Sequence, residues 1–224
     1  MFRLTFLSAT SKTTTHRVVP FRMGNLGGVA GYVAGGSDSS GTISGIIKVA
    51  FPADTLTTLS ATLTTARNGV SGFANSGVAG YAAGGYDSGY ISGIDKVSFP
   101  ADSKTTLSAT LTTARNGMAG FANSGVAGYA AGGDGGATLS GIDKITFPAD
   151  TKTTLSATLT TARRLAMSFA NSGVAGYVAG GSDSGGNISG IIKVAFPADT
   201  LTTLSATLTT ARFIGAGFAD SGTL

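Results

Sequence analysis

The chain has no cysteine, no tryptophan, no glutamate and no glutamine among its 224 residues, and its one histidine is His16. Without cysteine there is no disulfide and no thiolate metal site, and the redox compartment is left open. Aspartate is the only acidic side chain, so general acid–base and triad chemistry have few groups to draw on. No apolar run reaches the length of a membrane span, and no membrane partner is expected. The opening MFRLTFLSATSKTTTHR is too short in apolar residues and too polar for a signal peptide. Charged residues make up only 12%, whereas 42% are hydrophobic and 35 are glycine, so a packed core is possible despite the biased composition.

The charge is unevenly placed. Arg3, Lys12, Arg17 and Arg22 form a basic arm over residues 1–22 and equal the whole net charge of +4. Such an arm suits an acidic partner or nucleic acid, and contacts of that kind would weaken with salt. The rest of the chain is neutral, and outside the arm nucleic acid is not expected as a partner.

What is abundant is repetition. Tyr32, Tyr81, Tyr129 and Tyr177 each lie inside a GYxAGG stretch, and Phe51, Phe99, Phe147 and Phe196 each open FPAD. TTLSATLTTAR segments end at Arg67, Arg115, Arg163 and Arg212, and Phe73, Phe121, Phe169 and Phe218 sit in further copies of one short string. The Phe-Pro markers are spaced by 48, 48 and 49 residues. Within a unit, apolar residues alternate with period two between Gly, Pro, Asn and Asp. Four strands are therefore expected per unit: a in GFANSG, b in VAGYAAGG, c in ISGIDKVSFP and d in TTLSATLTTAR. For the last, Leu107, Ala109 and Leu111 share a face, and the density of threonine favours strand over helix.

A period near 50 with four short strands is the size of a propeller blade. The layout GYAAGGYDSGYISGIDKVSFPADSKTTLSATLTTAR resembles kelch repeats: an apolar strand ending in a glycine doublet, a variable loop, a third strand, a turn, and a fourth strand leading to a basic residue. The usual Tyr and Trp after the doublet are absent, with Val97 or Phe99 and Leu107 in their roles. The resemblance implies an all-β, kelch-like β-propeller forming a single domain over 1–224. Its parts are an N-terminal outer segment 1–17, repeats 18–67, 68–115, 116–163 and 164–212, and a C-terminal inner strand 213–224. The two terminal parts are expected to share a thin fifth blade. A four-blade ring with overhanging ends, or completion by another subunit, are the alternatives.

Candidate sites are few. Asp54, Asp102, Asp150 and Asp199 follow FPA and read as turn residues that bond nearby backbone. The loops 37–42 (SDSSGT) and 182–187 (SDSGGN) read as turns, because they lack the acidic density of a calcium loop. No metal, cofactor or catalytic residue is assigned, and an enzyme is not expected. Tyr86 and Tyr90, the aromatic residues of the variable loops, are the candidate ligand loop for a sugar or a protein surface. In the middle repeats strand c carries Asp95 or Asp143 and the next turn Lys104 or Lys152; the outer repeats carry Ile47 with Leu56 and Ile192 with Leu201. A position that accepts Asp is expected to be exposed, so these four apolar residues are candidate partner contacts, which either cover the thin fifth blade or bind a neighbouring subunit.

The wording of the repeats is similar to repeats in predicted virion proteins of bacteriophages, including those of cyanobacteria. That resemblance implies a non-enzymatic virion component of the tail or tail fibres, located in the virion, whose partners are other virion proteins or further copies of itself. A lectin-like module for host surface glycans and a head decoration protein are the alternatives.

Overall fold

The computed structural model describes residues 30–219. Its strands are β1 (Ala30–Ala34), β2 (Ser37–Asp38), β3 (Gly41–Thr42), β4 (Ile46–Ala50), β5 (Thr55–Thr58), β6 (Ser71–Asn75), β7 (Ala79–Ala83), β8 (Ile94–Ser98), β9 (Ser103–Thr106) and β10 (Ala119–Asn123). They continue as β11 (Ala127–Ala131), β12 (Ile142–Thr146), β13 (Thr151–Thr154), β14 (Met167–Asn171), β15 (Ala175–Ala179), β16 (Ser182–Asp183), β17 (Gly186–Asn187), β18 (Gly190–Ala195) and β19 (Thr200–Thr207). Among the described residues there is no helix.

The strands form antiparallel meanders, one per repeat. β6-β7-β8-β9, β10-β11-β12-β13 and β14-β15-β18-β19 are four-stranded, and β1-β4-β5 is the three-stranded described part of the first sheet. The pairing of Phe73 with Tyr81 recurs as Phe121 with Tyr129 and Phe169 with Tyr177, so one register is copied three times. β2-β3 and β16-β17 are small hairpins in the variable loops at 37–42 and 182–187. There Asp38 accepts the Ser40 N–H and Asp183 the Gly185 N–H, which closes each turn locally.

The fourth strand is not where the sequence pattern places it. In the second repeat it is β9, and TLSATLTTAR leaves the sheet at Leu107. The segment stays tied by widely spaced bonds, Leu107 N–H to the Ile94 carbonyl and Leu111 N–H to the Ser92 carbonyl. Opposite it runs the stretch 91–93, which precedes β8 and is not part of a strand. Leucine alternation there marks burial: Leu63, Leu111 and Leu159 plug the core from below. In the fourth repeat β19 does run on to Thr207, with a bulge between Gly190 and Ile192. The doublet Gly84-Gly85 has φ of 61° and 120°, angles that a side chain disfavours. A Cβ on Gly84 would also collide with the Arg115 carbonyl at the end of the same repeat.

Each core lies between two repeats, not within one. Ile46 and Leu63 pack with Ala82 and Val97. Phe73, Tyr81 and Ile94 pack with Ala130, Ile145 and Phe147. Phe121, Tyr129 and Ile142 pack with Val178, Ile192 and Phe196. The first-strand positions β6, β10 and β14 run side by side, and glycine permits it: a Cβ on Gly120 would strike the Gly72 carbonyl. The rings of Phe73 and Phe121 lie over Gly128 and Gly176 of the following repeat. At each of the three junctions the trailing face of one repeat thus covers the leading face of the next. No closed ring is formed among the described residues. The expected outer segment 1–17 lies outside them, and the described part of 213–224 carries no strand. Gly217 nevertheless abuts the Ser168 backbone of β14, as Gly120 abuts Gly72.

Candidate functional site

Chemistry-bearing side chains gather at the junctions between repeats. At the first type of junction, Asp102 leaves its turn at φ 52° and reaches back to the preceding repeat. It accepts the Tyr32 hydroxyl at 2.6 Å and the Lys48 ammonium at 2.7 Å. Asp150 does the same with Tyr81 and Lys96, and Asp199 with Tyr129 and Lys144. Phe99 stacks on Tyr32, Phe147 on Tyr81 and Phe196 on Tyr129, so ring and carboxylate of one turn clasp one tyrosine. The expectation that these aspartates bond nearby backbone is corrected for Asp102, Asp150 and Asp199. They are inter-repeat clasps, because a left-handed Asp at the tip of a turn projects away from its own sheet.

Burial works to raise the Asp102 carboxyl, but the bonds from Lys48 and Tyr32 outweigh it and hold it below its ordinary value. Its folded-state pKa is therefore depressed, and its contribution is present above the unfolded value of about 3.9 and is lost as pH falls below that. Acid titration followed by near-ultraviolet circular dichroism, which reports the stacked tyrosines, should show the native signal lost below about pH 4. Asp102→Asn should flatten that response at the first junction; an unchanged acid limb would contradict the clasp's role.

The second constellation is built round a fully buried carboxylate. Asp95 accepts the Thr64 N–H, the Thr64 and Thr106 hydroxyls, and Arg67 Nη2 at 3.1 Å, with Lys104 at 3.6 Å. Asp143 repeats this with Thr112, Thr154, Arg115 and Lys152. The expectation that this position is exposed is thus overturned: Asp95 and Asp143 face the preceding repeat, where its terminal arginine waits. Desolvation would raise Asp95, but its donors bring it below the ordinary carboxylate range. Where Ile192 and Leu201 stand instead, Arg163 turns its Nη1 to the Gly180 and Gly190 carbonyls. Ile192 is fully buried and Leu201 packs on the same core, so this pair contacts the third repeat of its own chain. Ile47 is half-buried and Leu56 is 66% exposed. The reason lies in which neighbour each leading face meets.

The variable loops form a third group. Tyr86 and Tyr90 meet edge to face at 5.2 Å and are each partly exposed. The Tyr90 hydroxyl donates to Asp134 at 2.9 Å, and Arg164 pairs with the same carboxylate. The bond to Asp134 raises the Tyr90 hydroxyl's pKa. Burial would raise Asp134, but the Gly136 N–H, Tyr90 and Arg164 hold it low. Together with Asn116 and Leu165 these side chains line a shallow cleft of about 320 Å³. The arrangement offers two aromatic edges, one cation and one anion. Among the described residues no group of three or more His, Asp, Cys or Glu is placed to hold a metal ion. The arm residues Arg3, Lys12, Arg17 and Arg22, and His16, lie outside the described residues.

The arginine–aspartate constellation was missed by sequence reasoning. Its signal was present: Asp and Lys are exchanged together for Ile and Leu, which is how neighbours vary. No family model and no curated protein matches the chain.

Proposed function

We propose that the chain is a non-enzymatic scaffold of kelch-like, propeller-type blades that makes protein–protein contacts as part of a bacteriophage virion, in the tail or its fibres. The observation that carries the scaffold reading is the use made of charge. Asp95, Asp102, Asp143, Asp150 and Asp199 all join one repeat to another. The virion reading rests on the wording of the repeats. Mass spectrometry of purified particles should find the protein at stoichiometric copy number, and its absence from particles that retain infectivity would overturn the placement.

A second reading, a lectin-like module, is favoured by the exposed pair Tyr86 and Tyr90 beside Asp134 and Arg164. An aromatic edge with flanking polar groups suits a sugar ring. A glycan array probed with the native protein and with Tyr86→Ala/Tyr90→Ala decides it: binding lost in the variant supports a lectin, and no binding by either leaves the scaffold reading alone.

A further inference from the structure

The outermost described faces match one another. Val33 is 62% exposed, whereas Val178, at the same place in the fourth repeat, is fully buried against the third. Phe51 is 47% exposed, whereas Phe147 is 6% exposed and stacked on a tyrosine. Leu56 is exposed where Leu201 packs on a core, and Asp54 has no hydrogen-bond partner among the described residues. Among the described residues, the leading face of the first sheet is therefore a finished interface half without a covering repeat.

The other half is at the far end. Phe169 stacks on Tyr177 as Phe121 stacks on Tyr129. Lys193 lies across from Tyr177 in the register that sets Lys144 across from Tyr129. Among the described residues, however, Tyr177 and Lys193 receive no aspartate, and Arg212 is exposed where Arg163 is buried. Phe218 is 88% exposed. Gly217 already sits on β14 at the spacing of an inner strand.

We propose that the trailing face of the fourth sheet covers the leading face of the first sheet in a second copy of this chain. The contact repeats the junction between the third and fourth sheets. Lys193 and Tyr177 of one copy bind Asp54 of the next, Phe51 stacks on Tyr177, and Arg212 faces Ile47 as Arg163 faces Ile192. Ile47 and Leu56 decide the match. They reproduce the apolar version of the leading face found in the fourth repeat, which accepts an arginine without a carboxylate. The interface is heterologous, so successive copies add in one direction until the array closes. The inference is independent of the virion and lectin readings.

The absence of cysteine makes the test clean. Lys193→Cys with Asp54→Cys, treated with a short bismaleimide, should give a ladder of covalent multimers. Lys144→Cys with Asp199→Cys, the internal junction, serves as the control and should stay at monomer mass. Light scattering of the untreated native chain should show concentration-dependent assembly. Asp54→Lys should abolish that assembly while leaving the circular dichroism unchanged, and Asp54→Lys/Lys193→Asp should restore it. Cross-linking confined to the monomer would mean that the chain covers its own face, and this overturns the proposal. A monomer with no cross-link, or an Asp54→Lys chain that assembles like the native one, overturns it equally.

Discussion

Asp143→Ala is expected to cost about 3–5 kcal/mol, because it strands the buried guanidinium of Arg115 without its carboxylate. Four donors besides Arg115 lose their acceptor too: the Thr112 N–H, two threonine hydroxyls and, at longer range, Lys152. The fourth repeat supplies the remedy. Asp143→Ile with Lys152→Leu installs the pair found at Ile192 and Leu201, which lets Arg115 turn to backbone carbonyls as Arg163 does. This double replacement should cost no more than about 1 kcal/mol, since a buried ion pair exchanged whole for packed apolar groups is often neutral. Urea unfolding of the two variants measures the difference. Equal losses would show that the two versions of the leading face are not interchangeable solutions to one problem.

The strand alternation and the repeat length were legible in sequence because they obey local rules: period two, glycine doublets, and turns at Phe-Pro-Ala-Asp. The sheet order followed, since short links between antiparallel strands leave little choice. Ring closure is a property of the angle between repeats, which side-chain pattern does not state. The fourth strand was misplaced for a different reason. Leu107, Ala109 and Leu111 alternate because they line a core from an extended segment, and burial alternation alone does not distinguish that from a ladder. Asp95 was taken for a surface residue because charge normally means water. Its true surroundings depend on Arg67, 28 positions earlier. Tyr86 and Tyr90 stood out as aromatic loop residues, but their partners Asp134 and Arg164 come from the loops of later repeats.

Gly128→Ala should be about as harmful, at about 3 kcal/mol, the upper end for overpacking. A methyl group there would enter the ring of Phe73, which is clamped in turn by Tyr81 beneath it. Removing the ring relieves the collision, so Phe73→Ala and Gly128→Ala should be strongly coupled. Phe73→Ala alone should cost about 3–5 kcal/mol, and the double variant should lose less than the sum by on the order of 1–3 kcal/mol. Additive losses in a thermodynamic cycle would mean that the two repeats are not held at the distance this ring and this glycine define.

Cores shared by neighbours have a genetic consequence. A single repeat excised from the chain owns only half of each core it touches, so stability belongs to pairs and rises with the number of adjacent pairs. Unequal recombination between such similar coding stretches would add or delete whole units of about 48 residues. The trailing face keeps its tyrosine, lysine and arginine in every unit, and both versions of the leading face accept that set. An in-frame duplication of 116–163 would therefore create one more junction of a kind the chain already contains, and its length is open to selection without redesign.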